Sequence, residues 1–216
     1  MVATPTDGIA GIDVSHYQGE IDWNAVAAHG ARFAFIKATE GVDNVDPQFA
    51  TNWQAAHAAG LLRGAYHYFD PSQDAAKQAD HFLQTVTMDD ASLPPVVDVE
   101  VSGGLSPSDL SSALRVWLEK VAEGSGSKPI IYADPTFWRS HIVGDFSEYP
   151  FWIAEYGPEA HVPDDWSSWT FWQHSQSGQV PGVTGPVDMD RFAGNEKDLE
   201  DLTGKKGLFS RVDRLL

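Results

Sequence analysis

Short apolar runs rich in Val, Ile, Phe and Tyr alternate along this chain with longer stretches whose apolar residues recur at helical spacing. That alternation marks βα units built around a parallel sheet. "GIAGIDVS" predicts a first strand. Asp22 stands where a helix cap belongs, ahead of "WNAVAAHG", which Gly30 ends. "RFAFIKAT" predicts a second strand. "DPQFATNWQAAHAAG" predicts a helix with Asp46 as cap, Pro47 in the first turn and Gly60 as terminator. "LLRGAYHYF" predicts a third strand. In "DAAKQADHFLQTV", Ala75, Ala79, Phe82, Leu83 and Val86 form a helical stripe. "PPVVDVEVSGG" predicts a fourth strand. Ser106 then caps, and Pro107 opens, a helix whose Leu110, Leu114, Trp117, Leu118 and Val121 share one face. "KPIIYA" predicts a fifth strand.

Beyond that point the rhythm changes. "PFWIAEY", "WTFWQHS" and "GPVDMDRF" are strand-like, but loops separate them rather than strong helices. The pattern therefore predicts an α/β fold: an irregular, flattened TIM-like barrel of five βα units followed by three helix-poor strands. The 216 residues suit one domain, with a core over about 8–192 and a C-terminal extension over 193–216. There is no internal repeat. The last dozen residues, "KKGLFSRVDRLL", are basic, and a structural or solubilising role is expected for them.

The fourth strand carries two acids, Asp98 and Glu100, inside a run of valines. Side chains alternate across a strand, so the acids share one side and Val97, Val99 and Val101 the other. The valines suit the helix layer. The acids then face the barrel interior, at the strand's C-terminal end, because "SGG" opens the loop behind them. Barrel active sites sit at that end. Two neighbouring buried carboxyls push one pKa upward, which leaves one protonated and one ionised acid. That is the pair glycoside hydrolysis requires.

Other polar groups end apolar strands in the same way: Asp13, the Tyr66–His67–Tyr68 run, and Asp188 with Asp190. Strands one and eight are neighbours in a closed barrel, so these acids converge on one mouth. Tyr17, Tyr132, Trp152, Tyr156, Trp169 and Trp172 lie in strand ends and loops, where aromatic faces stack on sugar rings. Trp53 and Trp117 lie on helical stripes and are assigned to packing. Trp152 and Phe151 point to opposite sides, so one of the two faces the interior.

Composition narrows the partners. The net charge of −17 repels nucleic acid and anionic membranes. No apolar run approaches the ~20 residues of a membrane span. Cysteine is absent, which excludes disulfides and thiolate metal sites. The N-terminal "MVATPTDG" lacks the regions of a signal peptide.

Eight blocks in order, "GIDVSHYQGEIDW", "FAFIKATEG", "GAYHYF", "PVVDVE", "IIYA", "FWIAEYG", "WTFWQHS" and "VDMDRF", resemble the glycoside hydrolase family 25 lysozymes (CH-type muramidases) over about Gly8 to Phe192. The resemblance implies cleavage of the β-1,4 bond between N-acetylmuramic acid and N-acetylglucosamine in bacterial peptidoglycan. It implies no cofactor and no metal. It places the active-site acids on Asp13, Asp98, Glu100 and Asp188, with Asp190 kept open for the last. Glu100 resembles the general acid. Asp98 is a base or nucleophile, or it orients the substrate N-acetyl group in a substrate-assisted retaining route, which the adjacent DxE favours. Tyr66, Tyr68, Tyr132, Trp152, Tyr17, Asp190 and Trp172 are the expected substrate-binding residues. A monomer acting outside the cell or on the cell wall is expected.

Two rival readings remain at this stage. One is a metal-dependent barrel hydrolase using Asp13, His16, His67, Asp98, Glu100 and Asp188, although neither HxH nor HExxH spacing is present. The other is a catalytically silent carbohydrate-binding module on the same scaffold.

Overall fold

A computed structural model describes residues 8–204. The strands are β1 (Ile9–Val14), β2 (Phe33–Glu40), β3 (Asn44–Val45), β4 (Leu62–Tyr68), β5 (Val96–Asp98), β6 (Ile130–Ala133), β7 (Phe151–Ala154), β8 (Phe171–Gly178) and β9 (Val187–Phe192). The helices are α1 (Trp23–Ala28), α2 (Phe49–Ala58), α3 (Ala75–Thr85), α4 (Pro107–Ser125), α5 (Pro135–His141) and α6 (Glu196–Glu200). The basic segment 205–216 and the N-terminal residues 1–7 lie outside the described residues.

The sheet runs β1-β9-β8-β7-β6-β5-β4-β2, and β2 pairs with β1 to close the barrel, while β3 forms a short hairpin on β2. The eight-stranded barrel expected from the sequence pattern is present. Its pairs are parallel except those of β9, which runs antiparallel to both β8 and β1. Residues 179–186 between β8 and β9 contain no helix. Without a crossover the chain returns in the opposite direction. This reversal positions the last acidic motif. Asp188 comes near the start of β9, yet it pairs with Asp13 near the end of β1.

Period-two alternation divides the apolar side chains between two cores. Outward-facing Ile12, Ala34, Ile36, Ala65, Val97, Ile131 and Ile153 meet the helical layer. Helix α4 brings Leu110, Leu114, Trp117, Leu118 and Val121 to that layer, all fully buried. Each such side chain contributes about 1.5–3 kcal/mol on burial. The Ser106 hydroxyl accepts from the Asp109 amide and caps the helix, with Pro107 in its first turn. Inward-facing Phe33, Phe35, Val96, Ile130, Trp152, Phe171 and Phe192 fill the lower barrel. Phe35 stacks on Trp152 with ring centroids 4.3 Å apart. Gly11 and Gly64 make that plug possible, because a Cβ on either would enter the ring of Phe33 or Phe35. The interior is thus packed at the bottom and open only at the top.

Two local expectations are corrected. Asp46 does not cap α2, which begins after Gln48 without a side-chain cap. Asp46 instead accepts from the Gln48 amide and from both the backbone amide and Nδ1 of His16, at 2.9, 3.0 and 2.7 Å. It ties the entry of α2 to the 3-10 turn His16–Gln18. Val101 is 42% exposed, not packed under the helices. The fourth strand, β5, stops at Asp98, so the strand alternation no longer governs position 101. A short helix, α6, also follows the barrel and buries Leu199 against the lower core.

Candidate active site

One cross-barrel layer lies directly above the aromatic plug. Tyr68, Asp98, Tyr132 and Trp152 are consecutive register partners on β4, β5, β6 and β7, and therefore point to the same side. A cleft of about 310 Å³ opens over them. Asp13, Asp98, Glu100 and Asp188 line it, together with Tyr17, Tyr66, Tyr68, Tyr132, Tyr156 and Trp152. The acids come from β1, the end of β5 and β9. Asp98 is only 7% exposed, whereas Glu100, just beyond the strand, stands at the solvent-reachable rim.

Burial is the largest cause raising the pKa of all four acids. Neighbouring charge adds to it. Asp188 and Glu100 raise Asp13, while Glu100 and Asp13 raise Asp98. Asp188 is pushed up to about 6 by burial and then by Glu100. Lys37 and the Tyr132 hydroxyl act the other way on Glu100. The tyrosines are held neutral in turn: Tyr68 and Tyr156 are both pushed up to about 12, first by burial and then by the surrounding carboxylates. The result is a pocket of carboxyls whose charged forms burial disfavours, ringed by neutral tyrosine hydroxyls.

Gln173 organises one wall. Its Nε2 donates to Asp13 Oδ2 at 2.7 Å, and its Oε1 accepts from the hydroxyls of Tyr132 and Tyr156 at 2.9 and 3.0 Å. Lys37 is the one cation lining the cleft among the described residues. Its ammonium donates to Glu40 Oε2 at 2.6 Å and lies 5.0 Å from the Tyr68 ring centroid. At the rim, the 3-10 turn carries Tyr17, which is 82% exposed, and the His16 ring lies against it at 4.1 Å.

Lys37 and Gln173 were not singled out from the sequence. The signal was there, because Phe33, Phe35 and Lys37 alternate into the interior, as do Phe171 and Gln173.

Two expected substrate-binding residues are elsewhere. Trp172 points outward from β8, packs against Trp169 and His174, and donates from Nε1 to the Glu155 carbonyl at 2.7 Å. The residue after Phe171 must face the helices, so Trp172 is corrected to a packing role. Asp190 is completely buried beneath the cleft and accepts from Trp152 Nε1 at 2.9 Å. That indole N–H is its one protein N–H donor among the described residues, and Asp190 does not line the cleft. Trp152 itself is 2% exposed and forms part of the cleft floor.

His67 faces outward between Tyr66 and Tyr68. Its Nδ1 meets Thr39 Oγ1 at 2.7 Å, its Nε2 meets Gln78 Oε1 at 3.0 Å, and its ring stacks on Trp117. Burial lowers its pKa to about 4. Both nitrogens being engaged behind the barrel wall, His67 is no ligand for the cleft. Among the described residues, no group of three or more His, Asp or Glu side chains is arranged to hold a metal ion.

The comparisons with known proteins agree with this geometry. The model of glycosyl hydrolases family 25 matches residues 12–183. A protein named YegX from Escherichia coli (strain K12) is 48% identical over 197 residues, covering 89% of this chain and 72% of that protein. Lysozyme M1 of Streptomyces globisporus is 37% identical over 204 residues, covering 88% of this chain and 69% of the relative. The crystal structure of a bacterial lysozyme from Streptomyces coelicolor superposes with a TM-score of 0.87 at 35% identity, covering 93% of this chain and 99% of that one. With the barrel, the acid-lined mouth and the family match in agreement, the chain belongs to glycosyl hydrolases family 25 and is a glycoside hydrolase of the lysozyme class.

Proposed function

We propose that this enzyme hydrolyses the β-1,4 bond between N-acetylmuramic acid and N-acetylglucosamine in bacterial peptidoglycan, with Glu100 as general acid and Asp98 orienting the substrate N-acetyl group. The observation that carries the reading is the unequal placement of the two acids. Asp98 lies on the cleft floor, 7% exposed, and its buried Oδ1 has no protein donor. An acetamido N–H at the cleft-facing side of this carboxyl supplies a donor that the protein does not. Glu100 stands above it at the rim, where a glycosidic oxygen can reach it.

Placement also assigns the proton. Glu100 is the first neighbouring charge raising the pKa of Asp98, so the charge on one acid bears on the other. An N–H donated to Asp98 favours its ionised form. The resulting charge raises the proton affinity of Glu100. Substrate binding thereby loads the proton onto the acid that must deliver it to the leaving oxygen. The oriented acetamide oxygen attacks the anomeric carbon from the opposite face, water opens the resulting oxazolinium ion, and the configuration is retained. Asp13 and Asp188 stabilise the positive charge developing on the ring, and Tyr17, Tyr66, Tyr68 and Tyr132 contact the sugars.

The protein acts as a monomer in a single barrel domain, outside the cell or on the wall, with no membrane or nucleic-acid partner. Product analysis after digestion of purified walls tests the reading. New reducing ends on N-acetylmuramic acid, first released as the β anomer, are expected. Reducing N-acetylglucosamine ends would refute the bond assignment, and first-formed α anomer would refute the substrate-assisted route.

A further inference from the structure

Asp190 is the one acid of the cluster that no substrate reaches. It is fully buried on β9, two register positions below the Asp13–Asp188 pair that lines the cleft. Its Oδ1 accepts from Trp152 Nε1, but its Oδ2 finds no N–H donor and is sealed from solvent. An ionised oxygen left bare in that place would cost several kcal/mol. The neighbour whose charge acts on it most is Asp13, two residues along β1 from its register partner Gly11. A proton on the unpartnered oxygen removes that cost and turns the oxygen into a donor toward Asp13.

We propose that Asp190 carries that proton and works as a neutral acid that positions Asp13. Its O–H donates to Asp13, its Oδ1 accepts from Trp152, and it never takes part as a charge. Asp13 is then an ionised acceptor fixed by two donors, the Asp190 hydroxyl and Gln173 Nε2–H. Gln173 is fixed in turn by Tyr132 and Tyr156. The chain Trp152–Asp190–Asp13–Gln173–Tyr132 links β7, β9, β1, β8 and β6, so the aim of Asp13 is set by five strands at once.

The surroundings favour this proton location. The charged groups acting on Asp190 are Asp13 and Asp188, both acids, and burial raises its pKa further. Asp13 faces Asp188 and Glu100, but it also holds the Gln173 amide, which favours its charge.

The inference rests on the lysozyme reading for its kinetic consequence, but not for the proton itself. Infrared spectroscopy of carboxyl-labelled protein at pH 7 reads the proton without any substrate. Among the protonated-acid carbonyl bands of wild type, one is expected to vanish in Asp190→Asn and to persist, shifted, in Asp13→Asn. If Asp190→Asn leaves every protonated-acid band in place, or if Asp13→Asn removes that same band, the proton was not on Asp190 and the proposal is overturned.

Wall clearing adds the functional arm. Asp190→Leu keeps the volume but removes donor and acceptor. It should lower kcat per folded molecule by about tenfold or more with KM little changed, because Asp190 touches no sugar. Asp190→Asn offers an N–H to Asp13 and an oxygen to Trp152, and should rescue most of that loss. Failure of Asp190→Asn to rescue while remaining folded would overturn the proposal. A wild-type enzyme that clears no walls would refute the lysozyme reading, and the infrared result would still decide the proton.

Discussion

Replacing Asp188 by Asn should make the folded protein more stable at neutral pH and no more stable in acid. Asp188 lines the cleft, partly buried, and its pKa is pushed up from 3.8 to about 6, first by burial and then by Glu100. In the unfolded chain it loses its proton as the pH passes about 4. In the folded protein it keeps the proton until about 6. Between those values the folded state binds more protons, so stability falls as pH rises, and above about 6 the full loss remains. The difference corresponds to roughly 3 kcal/mol for a fully shielded group. Solvent at the open cleft screens this, and about 1–2 kcal/mol is expected. Asn has the same shape and no charge, so the variant escapes the loss. Urea unfolding of both proteins at pH 3.5, 5 and 7.5, at constant ionic strength, measures it. The stability gap should widen by about 1–2 kcal/mol from the lowest pH to the highest. A gap that is constant across the series, or one that favours wild type at pH 7.5, would refute the reasoning. Combining Asp188→Asn with Glu100→Gln should yield less than the sum of the singles, because each acid is part of the other's cost. Activity should fall in the same variant, since the charge that costs stability is the charge the site uses.

Four shorter expectations follow from the same geometry. Glu100→Gln should lower wall-clearing turnover about 10²- to 10⁴-fold while circular dichroism and the melting temperature hold; near-normal turnover would end its assignment as the acid. Activity at constant ionic strength should be higher at pH 5 than at pH 8, because Glu100, whose charged form burial disfavours, acts only while it holds its proton and loses it as the pH rises; a flat or rising profile would contradict this. Trp172→Phe should leave KM for wall fragments unchanged and cost about 1 kcal/mol, the bond from Nε1 to the Glu155 carbonyl, in thermal unfolding. Tyr17→Ala should change stability by less than about 0.5 kcal/mol, because the ring is 82% exposed, yet raise KM for long glycan fragments.

Much of the site was legible because a strand obeys a period of two. That rule placed Asp98 on the interior side and Val97 and Val99 under the helices, and it separated Trp152 from Phe151. Applied to "FAFIKATE" and "FWQHS", it also reaches Lys37 and Gln173, and it excludes Trp172 from the cleft. Where the strand ends, the rule ends. Val101 lies past β5 and is exposed, against the alternation. Asp46 had the spelling of a helix cap, but the amide and ring of His16, thirty residues away in sequence, hold it as well.

The sequence by itself determined the order of the barrel strands, the face most strand residues show, and the family to which the chain belongs. These are local properties, written in spacing and in residue type. Only the tertiary structure decided depth. Asp188 and Asp190 share a face and differ by two positions, yet one lines the cleft and the other lies sealed beneath it, bonded to Trp152. Closing the barrel sets that difference, because the antiparallel return of β9 fixes its register against β1 and β8, and the register fixes the level of each side chain above the aromatic plug. Depth governs contact with water, and contact with water governs which carboxyl keeps its proton.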